Sequence, residues 1–427
     1  MLIFWYNDRG GEDMGTHIIV TGIEQPSFDF RPNGASLVER DQRGYLEEAG
    51  HIVFTVRPGY PDVNEDYHEI HLPSVKLPRA ENYRIAWPFD PLTQLRLESW
   101  LRTMKPDLIY LHGPYQIAEK LAAIAKKLDI PYILHVHTHI SGYVESRVPE
   151  QLWPVAKWLA LGRAKRLADG AALTVFPSET YRLIFIAETG FDGPSVVFPS
   201  FIKPFKLMSE SETERFNYRF RQNHLPINTE AYPGIVVHSR LEEEKNPEYP
   251  MRCFIELLDF LGEFPITRVV YPVLIYVGGG TPSCKARLVK IATENGILDK
   301  VYFAGSRSNE EAKKIIQTGN QNWFFSNKDT QGIVPFEAGY AKKPVFGLKK
   351  QPFDEFFGKK KFMVVSDNNP FGVAMNSHLL LSDRGRHAEM ATHCHEVAVA
   401  FSDTERYSTD FLIMCEEVIS QHKCNRN

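Results

Sequence analysis

The chain has 427 residues, of which 43% are hydrophobic, 12% aromatic and 24% charged. That is the make-up of a folded protein of two or three domains, and it excludes a disordered chain or a mini-protein. With 49 basic against 53 acidic residues the net charge is −4, which gives no support to a general nucleic-acid coat.

The first half repeats a strand–loop–helix rhythm, the mark of a parallel sheet covered by helices. HIIVTGI (17–23) reads as a strand, followed by the loop PSFDFRPNG (26–34) and the helix ASLVERDQRGYLEEA, closed by Gly50. HIVFTV (51–56) is the next strand, and the acidic stretch 58–92 reads as an excursion. Then come DLIYLH (107–112), the helix QIAEKLAAIAKKLD, the strand YILHVHT (132–138), a helical region over 150–168 and AALTVFPS (171–178). MLIFWY at the start reads equally as a further strand or an arm. Around 200–230 the pattern breaks into a polar, irregular stretch expected of an interdomain connection.

A second strand–helix series follows: GIVVHSR (234–240), YPVLIYVGGG (271–280), KVYFAG (300–305), QNWFFS (321–326) and PVFGL (344–348), with helices NPEYPMRCFIELLDFL and PSCKARLVKIATENG between them. Two such halves put a cleft at the carboxyl ends of both sheets. The helix TERYSTDFLIMCEEVISQH (404–422) needs a surface to pack on.

The five cysteines form no Cys-x-x-Cys pair, so neither a disulfide framework nor a structural zinc site is expected. No apolar run nears the ~18 residues of a membrane span, and MLIFWYND is too short for a secretory signal. The expected location is the cytoplasm, with peripheral contact at the inner membrane face as an option.

HExxH, Walker A, G-x-S-x-G, G-x-G-x-x-G and D-x-D are all absent, so hydride transfer, P-loop hydrolysis and serine esterase chemistry lose their usual support. Two segments carry positive signals. In HSRLEEEKNPE (238–248), Arg240 and Lys245 stand between a strand end and a helix start, where two cations suit a diphosphate; a solvated charged turn is the plainer account. In DTQGIVPFEAGYAKKPVFG (329–347), Asp329 and Glu337 flank a turn at Gly332, and a helix starting near Ile333 offers free N–H groups. There the plainer account is an ordinary strand-to-helix turn.

Together, in this order, the segments resemble the retaining GT-B glycosyltransferases of glycosyltransferase family 4. The family's G-R-L-x-x-x-K is met by SRLEEEK, and its E-x7-E followed by G-x-P-V by DTQGIVPFEAGYAKKPV. RPNGASLVERDQRGYLEEAGHIVFTV, KPDLIYLHG, IPYILHVHTHISGY, FPSETYRLIF, VVFPSFI, GILDKVYFAGSRSNEEAKKII and PFDEFF match further family segments in order. The resemblance implies a GT-B fold: two Rossmann-like parallel-sheet domains facing a central cleft. Residues 1–202 would take the acceptor and 203–403 the nucleotide sugar, with 404–427 packing back on the first domain.

By the same resemblance, Arg240 and Lys245 hold the donor diphosphate, the task of a metal in D-x-D enzymes. Asp329 contacts the transferred sugar and Glu337 the ribose. Gln331, Gly332 and Ile333 face sugar or phosphate, largely through backbone, and Tyr302 and Ala304 meet the base. Asn33 and Gly34 form the N-terminal loop that approaches the phosphate. His137, Thr138 and Tyr143 match an H-T-x4-Y pattern of members that glycosylate lipids, with His137 on the donor sugar. No metal and no cofactor are required; the donor is a nucleotide diphosphate sugar, and the acceptor a hydroxyl of a glycan, lipid or other glycoconjugate. The expected function is retaining hexosyl transfer.

Two departures bear on this: Ser239 stands where the family has glycine, and Asp329 where it has glutamate. A nucleotide-sugar 2-epimerase and a catalytically silent sugar-nucleotide-binding protein are therefore alternatives. LWPVAKWLALGRAKRL (152–167) mixes tryptophans with basic residues as interfacial helices do, while a helix pair packed on the sheet with a solvated basic edge is the favoured account.

Overall fold

The computed structural model describes residues 16–24, 34–59, 68–76, 84–87, 91–224, 234–263, 272–349, 351–358, 364–365 and 369–426. MLIFWY and Asn33 lie outside the described residues.

The first half runs β1 (Ile18–Ile23), α1 (Gly34–Glu48), β2 (Ile52–Pro58), β3 (Glu69–Leu72), β4 (Ser74–Lys76), β5 (Arg84–Ala86) and α2 (Pro91–Met104). It continues through β6 (Leu108–His112), α3 (Gln116–Leu128), β7 (Tyr132–His135), α4 (Ile140–Arg147), α5 (Trp153–Gly170), β8 (Leu173–Phe176), α6 (Glu179–Thr189) and β9 (Ser195–Val197). Seven of these strands form one parallel sheet in the order β3-β2-β1-β6-β7-β8-β9, while β4 and β5 pair antiparallel. The excursion 58–92 thus contributes a sheet strand and a hairpin. The strand beginning at Tyr132 stops at His135, three residues earlier than its pattern suggested.

After α7 (Glu210–His224) the second half runs β10 (Gly234–His238), α8 (Glu248–Glu263), β11 (Val273–Val277), α9 (Pro282–Glu294), β12 (Val301–Gly305), α10 (Asn309–Thr318) and β13 (Gln321–Phe324). Then come α11 (Val334–Tyr340), β14 (Val345–Leu348), α12 (Pro352–Phe357), β15 (Val364–Val365), α13 (Pro370–Ser382), α14 (Arg384–Ala400) and α15 (Thr404–Arg426). The second sheet is parallel too, in the order β12-β11-β10-β13-β14-β15. Its central strands are near-continuous apolar runs such as Ile235–Val237 and Val273–Val277, all buried, because helices cover both faces.

The stretch read as irregular contains α7. Ser209 and Glu212 cap it reciprocally, with Glu212 N–H donating to Ser209 Oγ at 3.2 Å and Ser209 N–H to Glu212 Oε2 at 2.8 Å. Phe216 and Phe220, one turn apart, attach the helix to the second core. Two apolar residues on a polar helix leave little periodic signal, and the cap decides it.

α15 lies on the first sheet. Tyr407, Phe411, Met414, Cys415, Val418 and Ile419 pack with Ile19, Tyr45, Val53, Leu108 and Ile133. Gln42 Nε2 donates to Tyr407 Oη at 3.1 Å, and His17 Nε2 lies 3.1 Å from Glu416 Oε2. The chain's last helix is therefore part of the core it started.

Candidate active site

In each sheet the chain moves outward on one side of its first strand and then crosses to the other. The crossing falls between β1 and β6 in the first sheet and between β10 and β13 in the second. Loops diverge there and leave a crevice at the carboxyl ends. The segments holding Arg240, Lys245, Asp329 and Glu337 all leave β10 and β13.

β10 ends at His238, and Ser239–Leu241 then lie along the glycine run after β11. Ser239 N–H donates to Val277 O at 3.0 Å, and Leu241 N–H to Gly279 O at 2.7 Å. Gly278 has φ +140°, and a Cβ there would come 2.2 Å from Ser239 O; one on Gly280 would come 2.4 Å from Leu241 O. Sequence reasoning read Gly278–Gly280 only as a strand end. The signal available was a glycine run at the end of a strand neighbouring the basic loop.

A single 3-10 turn, Glu243–Lys245, follows and closes on Asn246 at φ +51°. Ser326 Oγ donates to Glu244 O at 3.2 Å, tying this turn to the end of β13. Lys245 Nζ consequently meets Asp329 Oδ1 at 2.6 Å. Burial pushes the Asp329 carboxyl up, but Lys245, a Ser326 hydrogen bond and the charge of Arg240 outweigh it and hold it below its ordinary value. Arg240 sits in the same field. Its half-exposed guanidinium lies between Glu242 Oε1 at 2.7 Å and Glu244 Oε1 at 2.5 Å.

Gly332 has φ +82°, and a Cβ there would strike the Phe324 ring at 2.6 Å; this turn admits glycine alone. Ile333 then opens α11, whose first turn carries the buried Glu337 3.5 Å from Lys313 Nζ. The Gln331 side chain is taken up by Ser200, accepting from its N–H and donating to its carbonyl, both at 2.7 Å, so only its backbone is left for a ligand. Tyr302 and Ala304 lie on the edge strand β12, where the Ala304 carbonyl accepts from Arg307 Nε at 2.9 Å. Lys313 also borders a hollow of about 520 Å³ with Phe205, Phe216, Arg219 and Gln317.

The facing wall comes from the first sheet. His139 caps α4, its Nδ1 accepting from Gly142 N–H at 3.2 Å. Thr138 is held by two tyrosines: Tyr115 Oη donates to its hydroxyl at 2.5 Å and Tyr181 Oη to its carbonyl at 2.6 Å. Tyr143 packs edge-on against Tyr115, with Arg147 above its ring. His137 is half-buried, and desolvation pushes its imidazole down to about 3, so the ring is neutral. Gly34 is the first residue of α1, and a Cβ there would meet nothing within 4 Å among the described residues.

The two walls touch. Thr330 Oγ1 donates to His137 O at 2.9 Å, and Ser178 Oγ donates to Thr330 O at 2.6 Å. Lys328 Nζ meets Glu145 Oε2 at 2.6 Å, and Arg147 meets Glu242 at 3.4 Å. Thr330, Glu242 and Glu244 were not among the sequence candidates; Thr330 bonds a residue 193 positions away, and the two glutamates reach α4 as well as the neighbouring Arg240. The arrangement places two cations and two carboxylates on one side, and a neutral imidazole with hydroxyls on the other. It suits binding a diphosphate and a sugar together.

On α5, Val155, Trp158 and Leu159 are each more than half exposed, as is Leu152 just before it, while Lys157 pairs with Glu145 and Arg163 with Glu119. Among the described residues no helix is long and apolar enough to cross a membrane.

Residues 32–204 match the model of Glycosyltransferase Family 4. Sulfoquinovosyl transferase SQD2 of Arabidopsis thaliana is 25% identical over 316 residues, covering 71% of this chain and 54% of that protein. The match therefore spans about half that relative's length. Alpha-monoglucosyldiacylglycerol synthase of Acholeplasma laidlawii is 23% identical over 383 residues, 86% of this chain and 91% of the relative. Among solved structures, Anabaena Alr3699/HepE in complex with UDP and glucose superposes with a TM-score of 0.65 at 16% identity, covering 93% and 99% of the two chains. Sucrose-phosphate synthase from Thermosynechococcus elongatus gives 0.73 at 14% identity, covering 95% and 100%. Two facing parallel sheets with these structural neighbours give the chain the GT-B fold, and its first half is similar to Glycosyltransferase Family 4.

Proposed function

We propose that the protein transfers a hexose from a UDP- or GDP-sugar to an acceptor hydroxyl with retention of anomeric configuration. The observation that carries this reading is the meeting of Lys245 with Asp329 beside Arg240, at the crossing point of the second sheet. In this proposal Arg240 and Lys245 neutralise the diphosphate and stabilise it as leaving group, without a metal at that position. Asp329 orients the sugar while its pairing keeps it ionised, and Glu337 accepts from the ribose hydroxyls. The neutral His137 hydrogen-bonds the sugar from the opposite wall. Asp329, the carboxylate set at the sugar, is tied up by Lys245, so a front-face route, with a diphosphate oxygen taking the acceptor proton, fits best. Residues 1–202 with 404–427 serve the acceptor, and 203–403 the donor.

UDP is the favoured nucleotide, because the similar HepE structure was solved with UDP and with UDP-glucose. A lipid acceptor is favoured by the exposed apolar row on α5 and by the name of the Acholeplasma relative. The test is a thermal-shift panel of UDP, GDP, ADP and their sugars, followed by transfer to diacylglycerol vesicles or oligosaccharides with NMR assignment of the product anomer. Stabilisation by one nucleoside diphosphate and an α product from an α donor are expected. Inversion of the anomer, or turnover of donor to its 2-epimer without acceptor, would overturn the reading.

A further inference from the structure

We propose that His112, His135 and His137 form a binding site for one divalent first-row transition-metal ion of the zinc or cobalt type, separate from the cations assigned to the diphosphate. His112 and His135 are register partners on β6 and β7, so they project from the carboxyl ends of adjacent strands. The chain leaves β7 after His135 and brings His137 back beside both. Its ring centroid is 3.7 Å from that of His135 and 5.3 Å from that of His112. One ring nitrogen of each residue lies within 4.8 Å of the others, and His112 Nδ1 and His137 Nε2 are already 3.1 Å apart. A tetrahedral zinc site with Zn–N bonds near 2.0–2.1 Å places its nitrogens about 3.4 Å from one another. Two of the three are at that spacing, and small rotations bring in the third.

The second observation is what the cluster leaves unpaired. Among the described residues, His135 Nε2 is buried without a hydrogen-bond partner. Buried ring nitrogens ordinarily find one. Tyr110 Oη lies 3.0 Å from His135 Nδ1, which fixes that ring and leaves Nε2 as its free donor, the usual outer support of a ligating histidine. Arg57, whose charge reaches His112, is itself held by Glu39 at 3.3 Å and Glu69 at 3.0 Å. Imidazole donors favour zinc, cobalt, nickel or copper over magnesium or calcium. Three protein ligands leave one position open. His137, whose carbonyl holds Thr330 across the cleft, is the one member of the three that is not fully buried.

The full chain, stripped with chelator, is titrated with Co²⁺ while its visible d–d absorption is followed, and with Zn²⁺ by calorimetry. One equivalent with the spectrum of a nitrogen-ligated, low-coordinate cobalt is expected. His112→Ala and His135→Ala should each weaken binding by at least ~100-fold. His137→Ala, at a half-buried position, gives the same test without opening the core, with circular dichroism confirming the fold. Absence of stoichiometric binding, or binding unchanged in H137A, would overturn the proposal and leave a hydrogen-bonded histidine cluster.

Discussion

Lys245 and Asp329 are 84 residues apart in the chain and 2.6 Å apart in the structure. The pair exists because the strands preceding them, β10 and β13, are neighbours across the crossing point of the second sheet. Lys245→Ala removes a diphosphate-binding cation and strands a largely buried carboxylate. Turnover should fall by about 10²–10³-fold, the range for loss of one group stabilising developing charge, with weaker UDP binding by calorimetry. Because the folded Asp329 carboxyl titrates below its ordinary value, the pair stabilises the fold above the unfolded pKa near 3.8 and loses that contribution as pH falls through the lower folded value. Asp329→Asn should flatten this acid limb in pH-dependent thermal unfolding.

Arg240 is held by Glu242 and Glu244, and Glu244 Oε2 also accepts from Ser146 Oγ across the cleft at 3.4 Å. A diphosphate must displace these carboxylates from the guanidinium. Glu244→Gln should therefore tighten binding of nucleoside diphosphate several-fold, whereas Arg240→Ala should weaken it by at least ~10-fold. Calorimetric titration of both variants distinguishes competition from simple support, since support would make E244Q bind more weakly.

Gly278→Ala should be among the most damaging small changes in the second domain. The residue sits at φ +140°, and the new Cβ would lie 2.2 Å from Ser239 O, a backbone atom that cannot swing away. A destabilisation of about 1–3 kcal/mol is expected from the strained conformation, read as a lower denaturation midpoint. Displacement of Ser239–Leu241 should also raise the donor KM.

Glu24, at the carboxyl end of β1, is buried and accepts from the Ile117 N–H at 2.8 Å and from the Ala86 N–H. Burial pushes its carboxyl up to about 7, the backbone donors lowering it only in part. An acid whose folded pKa is raised favours folding below its unfolded value near 4.5 and loses that stability as pH climbs towards 7. Glu24→Gln should remove this downward slope between pH 5 and 7 when unfolding of the variant and the parent chain is compared.

Much of the architecture was legible because it is written locally. Ile235–Val237 and Val273–Val277 are apolar without interruption, and only strands covered on both faces read so. Gly332 and the cations of SRLEEEK stand at fixed distances from strand ends, so their arrival at the crossing point follows from the strand order. α7 was missed because its helix rests on the Ser209–Glu212 cap and two phenylalanines rather than on an apolar stripe.

By itself the sequence determined two strand–helix halves and the segments that carry cations and carboxylates, since periodicity and turn chemistry act over a few residues. Only the tertiary structure decided which groups face one another. Thr330 reaches the His137 carbonyl, Gln331 clasps Ser200, Arg240 is held by glutamates that also touch α4, and three histidines converge at the ends of β6 and β7. The Thr330–His137 and Gln331–Ser200 contacts join residues 193 and 131 positions apart and depend on how two sheets close over a cleft, and no local pattern encodes that closure.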